Sequence, residues 1–453
     1  MTPPPAATPR VDVSTVIAAQ AGNAIEFYDF VVYVFLAPWI GRAVFGTADA
    51  GSGVLLSLAA FAIGFVARPL GAIVFGRLAD RRGRRPAMLW TIWAMAAATG
   101  AIALLPTHAQ VGAAAAWLLV ACRLVQGLCF GGEVGPSLAF MLEAAPAGRQ
   151  GLYCAGVFAG QGVAVFAAGA ATTLVTWGVG PQAMQDWGWR VPFALAAVAA
   201  PLAIRLRRRM PETLPASGSG EAPHARRPAA ARIAGLSLAI LGGTVANYAC
   251  TYLPTHASVA LGMPARDAVP VSLAIGSATF AFGLLGGAMA DRGRGRPVLL
   301  GSRLACGALA IPLFAWLAAA PTPFALWSTA LVLAATNALN GGALFALMAA
   351  SFTSRRRATS IAIVYAAGVA LFGGSTQFVV AWLVRATGSP LAPGWVVAAS
   401  SAVALAALIR LEDPPRTRPR PTSSGLPPSG EAGADQAWDS GRSAPSRVPT
   451  SPT

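Results

Sequence analysis

Glu26 and Asp29 stand in an otherwise apolar run, residues 15–40. A helix turning 100° per residue places both, with Tyr33, inside about 60° of one another and sets Asn23 beside them. Carboxylates on one polar stripe can take up and release protons. Arg123 stands about twelve residues into a second apolar run, residues 111–142, and so about 18 Å along a helix. Its planar fork of N–H donors matches a carboxylate, whether of a ligand or of Glu26 or Asp29. An ionisable group in a lipid interior costs roughly 3 kcal/mol on insertion scales, so each of these should face a cavity or a partner. Proton coupling through Asp29 or Glu26 and anion binding through Arg123 are the chemistry this set offers. The competing reading is that the carboxylates only hydrogen-bond neighbouring helices.

Other polar residues at similar depth could complete a cavity: Gln161, Asn247, Tyr248, Thr251, Asn337, Asn340 and Tyr365. Asn23, Tyr28 and Gln126 join the candidate substrate ligands. Arg68 and Arg303 read as shallower, within snorkelling reach of one face. Glu133, among Gly131, Gly132 and Gly135, reads as a gate residue at a close helix contact. Arg190, just after Asp186, reads as a candidate gate at the opposite end. Gly127 with Gly131, Gly156 with Gly160 and Gly283 with Gly287 read as packing contacts, and Trp39, Trp117, Trp177, Trp187 and Trp189 as an interfacial belt.

The elements that must position these residues are membrane helices. Apolar residues make up 55% of the 453-residue chain, charged residues only 11%, and mean hydropathy is +0.60, beyond what a water-soluble chain carries. Runs long enough to cross a bilayer are expected at 15–40, 54–75, 87–105, 111–142, 152–177 and 191–204, then at 233–253, 269–290, 298–317, 324–352, 360–384 and 395–411. The expected organisation is a cytoplasmic tail (1–13), a six-helix half (14–206), a solvated linker (207–232), a second six-helix half (233–411) and a disordered cytoplasmic tail (412–453). Met1 to Asp12 reads as a Pro-rich tail rather than a secretory leader.

The net charge of +16 would point to nucleic acid in a soluble protein, but the basic residues, all arginine, gather in alternate loops. Arg77 to Arg85, Arg149, Arg205 to Arg232, Arg292 to Arg296 and Arg355 to Arg357 fall on one side; only Arg42, Arg190, Arg266 and Arg385 fall on the other. That asymmetry puts both termini in the cytoplasm. No nucleic-acid partner is expected. The cysteines and the three histidines have no ligand spacing, so no metal site is expected. Without a Walker loop, a GxSxG elbow or an HExxH pair, the chain is read as a non-enzyme with no cofactor, driven by a gradient.

The loops repeat. Gly76-x-x-x-Asp80-Arg81-x-Gly83-Arg84-Arg85 follows the second run, and Gly287-x-x-x-Asp291-Arg292-Gly293-Arg294-Gly295-Arg296 follows the eighth. Gly76, Asp80, Arg81, Gly83, Arg84 and Arg85, with Asp291 and Arg292, are therefore gate candidates, because an aspartate there can bind the N-terminus of a neighbouring helix. Matched loops in two six-helix halves are the parallel-repeat pattern, whose substrate site lies between the halves.

Residues 22–30 (Gly-Asn-Ala-Ile-Glu-Phe-Tyr-Asp-Phe), Arg68-Pro69-Leu70-Gly71-Ala72, the Gly76 loop, Arg123-Leu124-Val125-Gln126-Gly127, Gly131-Gly132-Glu133 and residues 187–193 (Trp-Gly-Trp-Arg-Val-Pro-Phe) together resemble the metabolite:proton symporters of the major facilitator superfamily, from about Gly22 to about Leu411. Residues 186–190 and 372–375, followed by Pro393-Gly394-Trp395, look most like the citrate and tricarballylate carriers; likeness to α-ketoglutarate and proline/betaine carriers is more distant. The resemblance implies an all-α fold of twelve transmembrane helices in a bacterial cytoplasmic membrane, working as a monomer that imports a small carboxylate with protons. The alternatives are a carrier of a zwitterion or shikimate, for which Tyr248 and Tyr252 would serve, and a non-transporting sensor.

Overall fold

The computed structural model describes residues 13–47, 49–208, 230–352, 357–370 and 372–411. The terminal tails and most of the linker expected from the sequence lie outside the described residues.

Apolar composition makes helices here because a backbone in lipid must satisfy its own N–H and C=O groups. Nine helices among the described residues are long and apolar enough to cross a bilayer, and a bent pair makes a tenth. One of the nine, Ala265–Ala319, holds 55 residues, far more than the roughly 20 that cross once. Gly293, at φ 76°, breaks it into two spans. A shorter apolar helix, Gly188–Leu202, supplies the last crossing.

The first half runs Val13–Phe35 continued by Ala37–Phe45, then Ala50–Val66 continued by Arg68–Arg82, Arg84–Ala103, Ala114–Ala144, Gln150–Gly178 and Val191–Arg208. These are spans one to six. The second half runs Ala230–Val259, Val271–Met289, Gly295–Ala319, Pro323–Ala350, Arg357–Ala370 continued by Gly373–Thr387, and Ala392–Arg410, spans seven to twelve. Span one bends by 72° between its two pieces. Pro38 and Pro69 sit in the first turns after the breaks in spans one and two, where a missing N–H costs no helical bond.

Between membrane helices the attraction is packing, so small residues mark the contacts. Spans five and eight meet along a seam of glycines: a Cβ at Gly162 would strike Phe280, one at Gly169 would strike Ser272, and one at Gly287 would strike Ala155 and Gly151. Spans two and four are equally close, Gly71 lying against the Leu128 carbonyl, Gly127 against that of Gly64 and Gly131 against that of Arg68. Inside, Phe27, Phe30, Phe61, Phe65 and Phe130 form a connected aromatic cluster. Outside, Val66, Trp90 and Val198 are exposed, a surface suited to lipid rather than water.

Four local expectations are corrected. The segment expected as a loop at Arg77 to Arg85 is helical except at Gly83, whose φ of 111° turns the chain in one residue. Trp189 is fully buried against Phe193 instead of standing in a belt, whereas Trp117, Trp177 and Trp187 are exposed. The seventh span, expected to end at residue 253, runs on to Val259, so His256 is buried inside it, between Tyr252 and Phe314. Arg68 and Arg303, read as snorkelling, are 1% and 0% exposed.

Candidate transport site

A cavity lies between the halves. Phe27 of span one and Phe158 and Gln161 of span five bound it from the first half. Asn247 and Tyr248 of span seven, Asn337 and Asn340 of span ten and Tyr365 of span eleven bound it from the second. Amides, phenols and aromatic rings line it together with the aliphatic Ile240 and Leu344, and no acidic residue does.

Two guanidinium groups back the wall. Arg68 lies within 3.4 Å of the Phe65 ring centroid, 4.2 Å of Phe130 and 4.5 Å of Phe30, and its Nη2 is 3.5 Å from the Tyr248 hydroxyl. Arg303 donates to Asn340 Oδ1 at 2.6 Å, to Asn337 Oδ1 at 3.2 Å and to the Gly242 carbonyl at 3.2 Å. Asn340 is itself fixed by donating to the Leu299 carbonyl at 2.8 Å.

The expected site residues divide. Gln161, Asn247, Tyr248, Asn340 and Tyr365 converge on the cavity. Arg123, Asn23, Tyr28 and Gln126 are not among its lining residues. Arg123 lies 3.8 Å from the Tyr33 ring centroid, buried, without a hydrogen-bond acceptor, and close enough to Asp29 for each charge to act on the other. Gln126 Nε2 donates to Asp29 Oδ2 and, at 3.1 Å, to Thr99 Oγ1. Asn23 donates to the Val157 carbonyl at 2.9 Å and Tyr28 to the Pro192 carbonyl at 3.0 Å, tying span one to spans five and six. Glu26 is buried and lines a smaller space that Thr99 also lines.

On the arginine-rich face, Asp80 accepts from the Thr359 N–H at 3.1 Å and from its hydroxyl, capping the eleventh span across the two halves. Asp80 also pairs with Arg84, and Glu143 takes Arg84 at 3.3 Å and Arg357 at 3.2 Å. Gly76 lies against Thr359, where a Cβ would come within 3.1 Å. Asp291 accepts from the N–H groups of Gly151 and Leu152, at 2.6 and 2.9 Å, so both repeats cap a helix of the other half. Gly83 makes its turn, Arg85 is half-buried, and Arg81 and Arg292 are exposed. The side chain of Glu133 lies outside the described residues.

On the opposite face Arg190 bonds backbone carbonyls rather than the Asp186 carboxylate. It donates to the carbonyls of Asp186 and Leu105, both at 2.9 Å and both in its own half, while Asp186's carboxylate takes Gln182. Contacts between halves there include Trp177 Nε1 donating to the Arg266 carbonyl, at 3.1 Å, and Asp49 with Arg385, at 3.1 Å, a pair missed in the sequence because its partners are far apart along the chain. Asp49 is also the N-cap of Ala50–Val66. The Ser52 hydroxyl, then the N–H groups of Ser52 and Gly51, then Arg385 hold its carboxyl down to about 2.

Residues 21–373 match the family described as the Major Facilitator Superfamily, and the chain belongs to it. It is 31% identical over 414 residues to a citrate-proton symporter of Salmonella typhi, covering 90% of this chain and 95% of the relative. It is also 31% identical over 419 residues to the alpha-ketoglutarate permease of Escherichia coli K12, covering 87% and 92%. In fold it resembles the proton:xylose symporter XylE, with a TM-score of 0.73 at 17% identity over 87% of this chain and 94% of that one. The protein is a multi-pass membrane transporter.

Proposed function

We propose that this chain imports a small organic carboxylate together with protons, by alternating access of a site between its halves. The observation that carries the reading is the cavity itself: with amide and phenol groups among apolar walls, buried arginines behind them and no acidic lining residue, it favours an anion. The citrate and alpha-ketoglutarate carriers among its relatives support that class. Asp29 is the proton carrier in this reading, held by Gln126 and influenced by Arg123, so that protonation changes the charge balance of the first half. The Asp80 and Asp291 caps close the arginine-rich face, which the charge asymmetry assigns to the cytoplasm. Binding draws the halves together, and release requires those caps to part.

Purified protein in liposomes tests this. Labelled citrate or α-ketoglutarate should accumulate uphill under an inward proton gradient and stop when a protonophore is added. Accumulation that survives the protonophore but disappears without sodium would replace the proton with sodium. Uptake of betaine alone would favour the zwitterion reading, for which the aromatic pairs Phe158–Phe345 and Phe345–Tyr365 at the cavity are the supporting feature.

A further inference from the structure

We infer that Arg68 and Arg303, one from each half, are the two cationic posts of the cavity, and that a substrate is held through two carboxylates, one to each. This rests on the carboxylate reading above and names the groups that read the charge.

Both guanidiniums are buried, and no carboxylate stands within ion-pair distance of either among the described residues. Arg84, by contrast, is paired with Asp80 and Glu143, and Arg123 stands near Asp29. The second half has no nearby carboxylate to offer: between residues 230 and 411 its acidic residues are Asp267 and Asp291, each at a span end. A buried cation without a counter-charge is unfavourable unless a charge arrives from elsewhere.

Each is parked on neutral groups. Arg68 rests on three aromatic faces, with Nε and Nη1 lacking acceptors; Arg303 donates only to amide and backbone oxygens, with Nε lacking one. Each is also one side chain from the cavity, Arg68 through Tyr248 and Arg303 through Asn337 and Asn340. Gly243 lines the cavity directly beside Arg303, and a Cβ there would lie 3.2 Å from Nη2. The missing side chain leaves a window through which a carboxylate meets the guanidinium.

A molecule with one carboxylate satisfies one post and leaves the other unanswered. A di- or tricarboxylate answers both and joins the halves, so charge number becomes the selectivity rule. Neutralising one post should therefore remove most of the preference for two carboxylates over one.

Calorimetric titration of the purified full-length protein with citrate, α-ketoglutarate, acetate and glycine betaine tests this. The two polycarboxylates should bind wild type more than about ten-fold tighter than acetate, and Arg68→Gln and Arg303→Gln should each cost citrate more than about ten-fold. Gly243→Val, which keeps both charges but fills the window, should weaken citrate in the same sense. Normal citrate affinity in both arginine variants overturns the assignment while leaving the carboxylate reading intact. Acetate binding as tightly as citrate to wild type also overturns it, with no variant needed. If wild type binds betaine and no carboxylate, the proposed function itself fails, and this inference with it.

Discussion

Asp291 accepts the backbone N–H of Gly151 at 2.6 Å, and Asp80 accepts that of Thr359 at 3.1 Å, so the two halves hold each other by the same device used twice. In each case a carboxylate meets the positive end of a helix, where N–H groups have no intrahelical acceptor.

Replacing Asp80 by Asn keeps an acceptor but removes the charge that binds Arg84 and the helix end. A carboxylate charge at a helix N-terminus contributes about 0.3–1 kcal/mol, so the closed state should lose up to about five-fold in population. Transport should slow while citrate affinity changes less than the rate. Unchanged transport by a normally expressed Asp80→Asn protein would return that segment to a topological role.

Asp29→Asn should abolish uphill accumulation driven by protons yet retain exchange of labelled for unlabelled substrate, because exchange needs no net proton movement. Equal proton-driven accumulation in wild type and variant would transfer the coupling role away from Asp29, with Glu26 the next residue to test.

Arg123→Ala leaves Asp29 buried without its nearby cation, a change of the kind that costs about 3–5 kcal/mol. Adding Asp29→Asn removes the stranded charge, so the double variant should regain thermal stability and substrate binding over the single one. Persistent loss of binding in the double variant, with stability restored, would instead make Arg123 a substrate ligand.

Gly71→Val should lower stability by about 1–3 kcal/mol, because its side chain must enter the space of the Leu128 carbonyl and two helix backbones cannot both give way cheaply. Thermal unfolding in detergent measures it; an unchanged midpoint would show that spans two and four can separate there freely.

The Asp49 cap has a definite pH window. Its carboxyl, held at about 2, contributes fully above its ordinary value near 4 and loses that contribution as pH falls toward 2. Asp49→Asn should therefore leave the shape of the transport profile between pH 5 and 8 unchanged. A moved midpoint in that range would give the Asp49–Arg385 contact a part in proton coupling.

The helices were legible because lipid imposes one backbone solution, and the Asp80 contact because its motif repeats with the right residue types. Depth was less legible. Arg68 read as shallow since the apolar run ends near Phe75, but the helix continues to Arg82, placing Arg68 about 21 Å from that end. Apolar runs mark where lipid touches a helix, and a helix keeps its hydrogen bonds beyond them. Arg123 failed to reach the cavity for another reason: depth along a helix fixes height, whereas the facing direction depends on how span four packs on span two through Gly64 and Gly127. Asp49 and Arg385 are 336 residues apart, a proximity that no local pattern encodes.

Arg303 also has an electrical meaning. The buried interior of the first half mixes both signs, while Arg303 is the one buried arginine among the described residues of the second half. Movement of that charge along the bilayer normal works against the membrane voltage, by up to about 2.3 kcal/mol per 100 mV for a full crossing. The return of the empty carrier should therefore have a voltage dependence of its own, which a carboxylate bound beside Arg303, as proposed, would cancel.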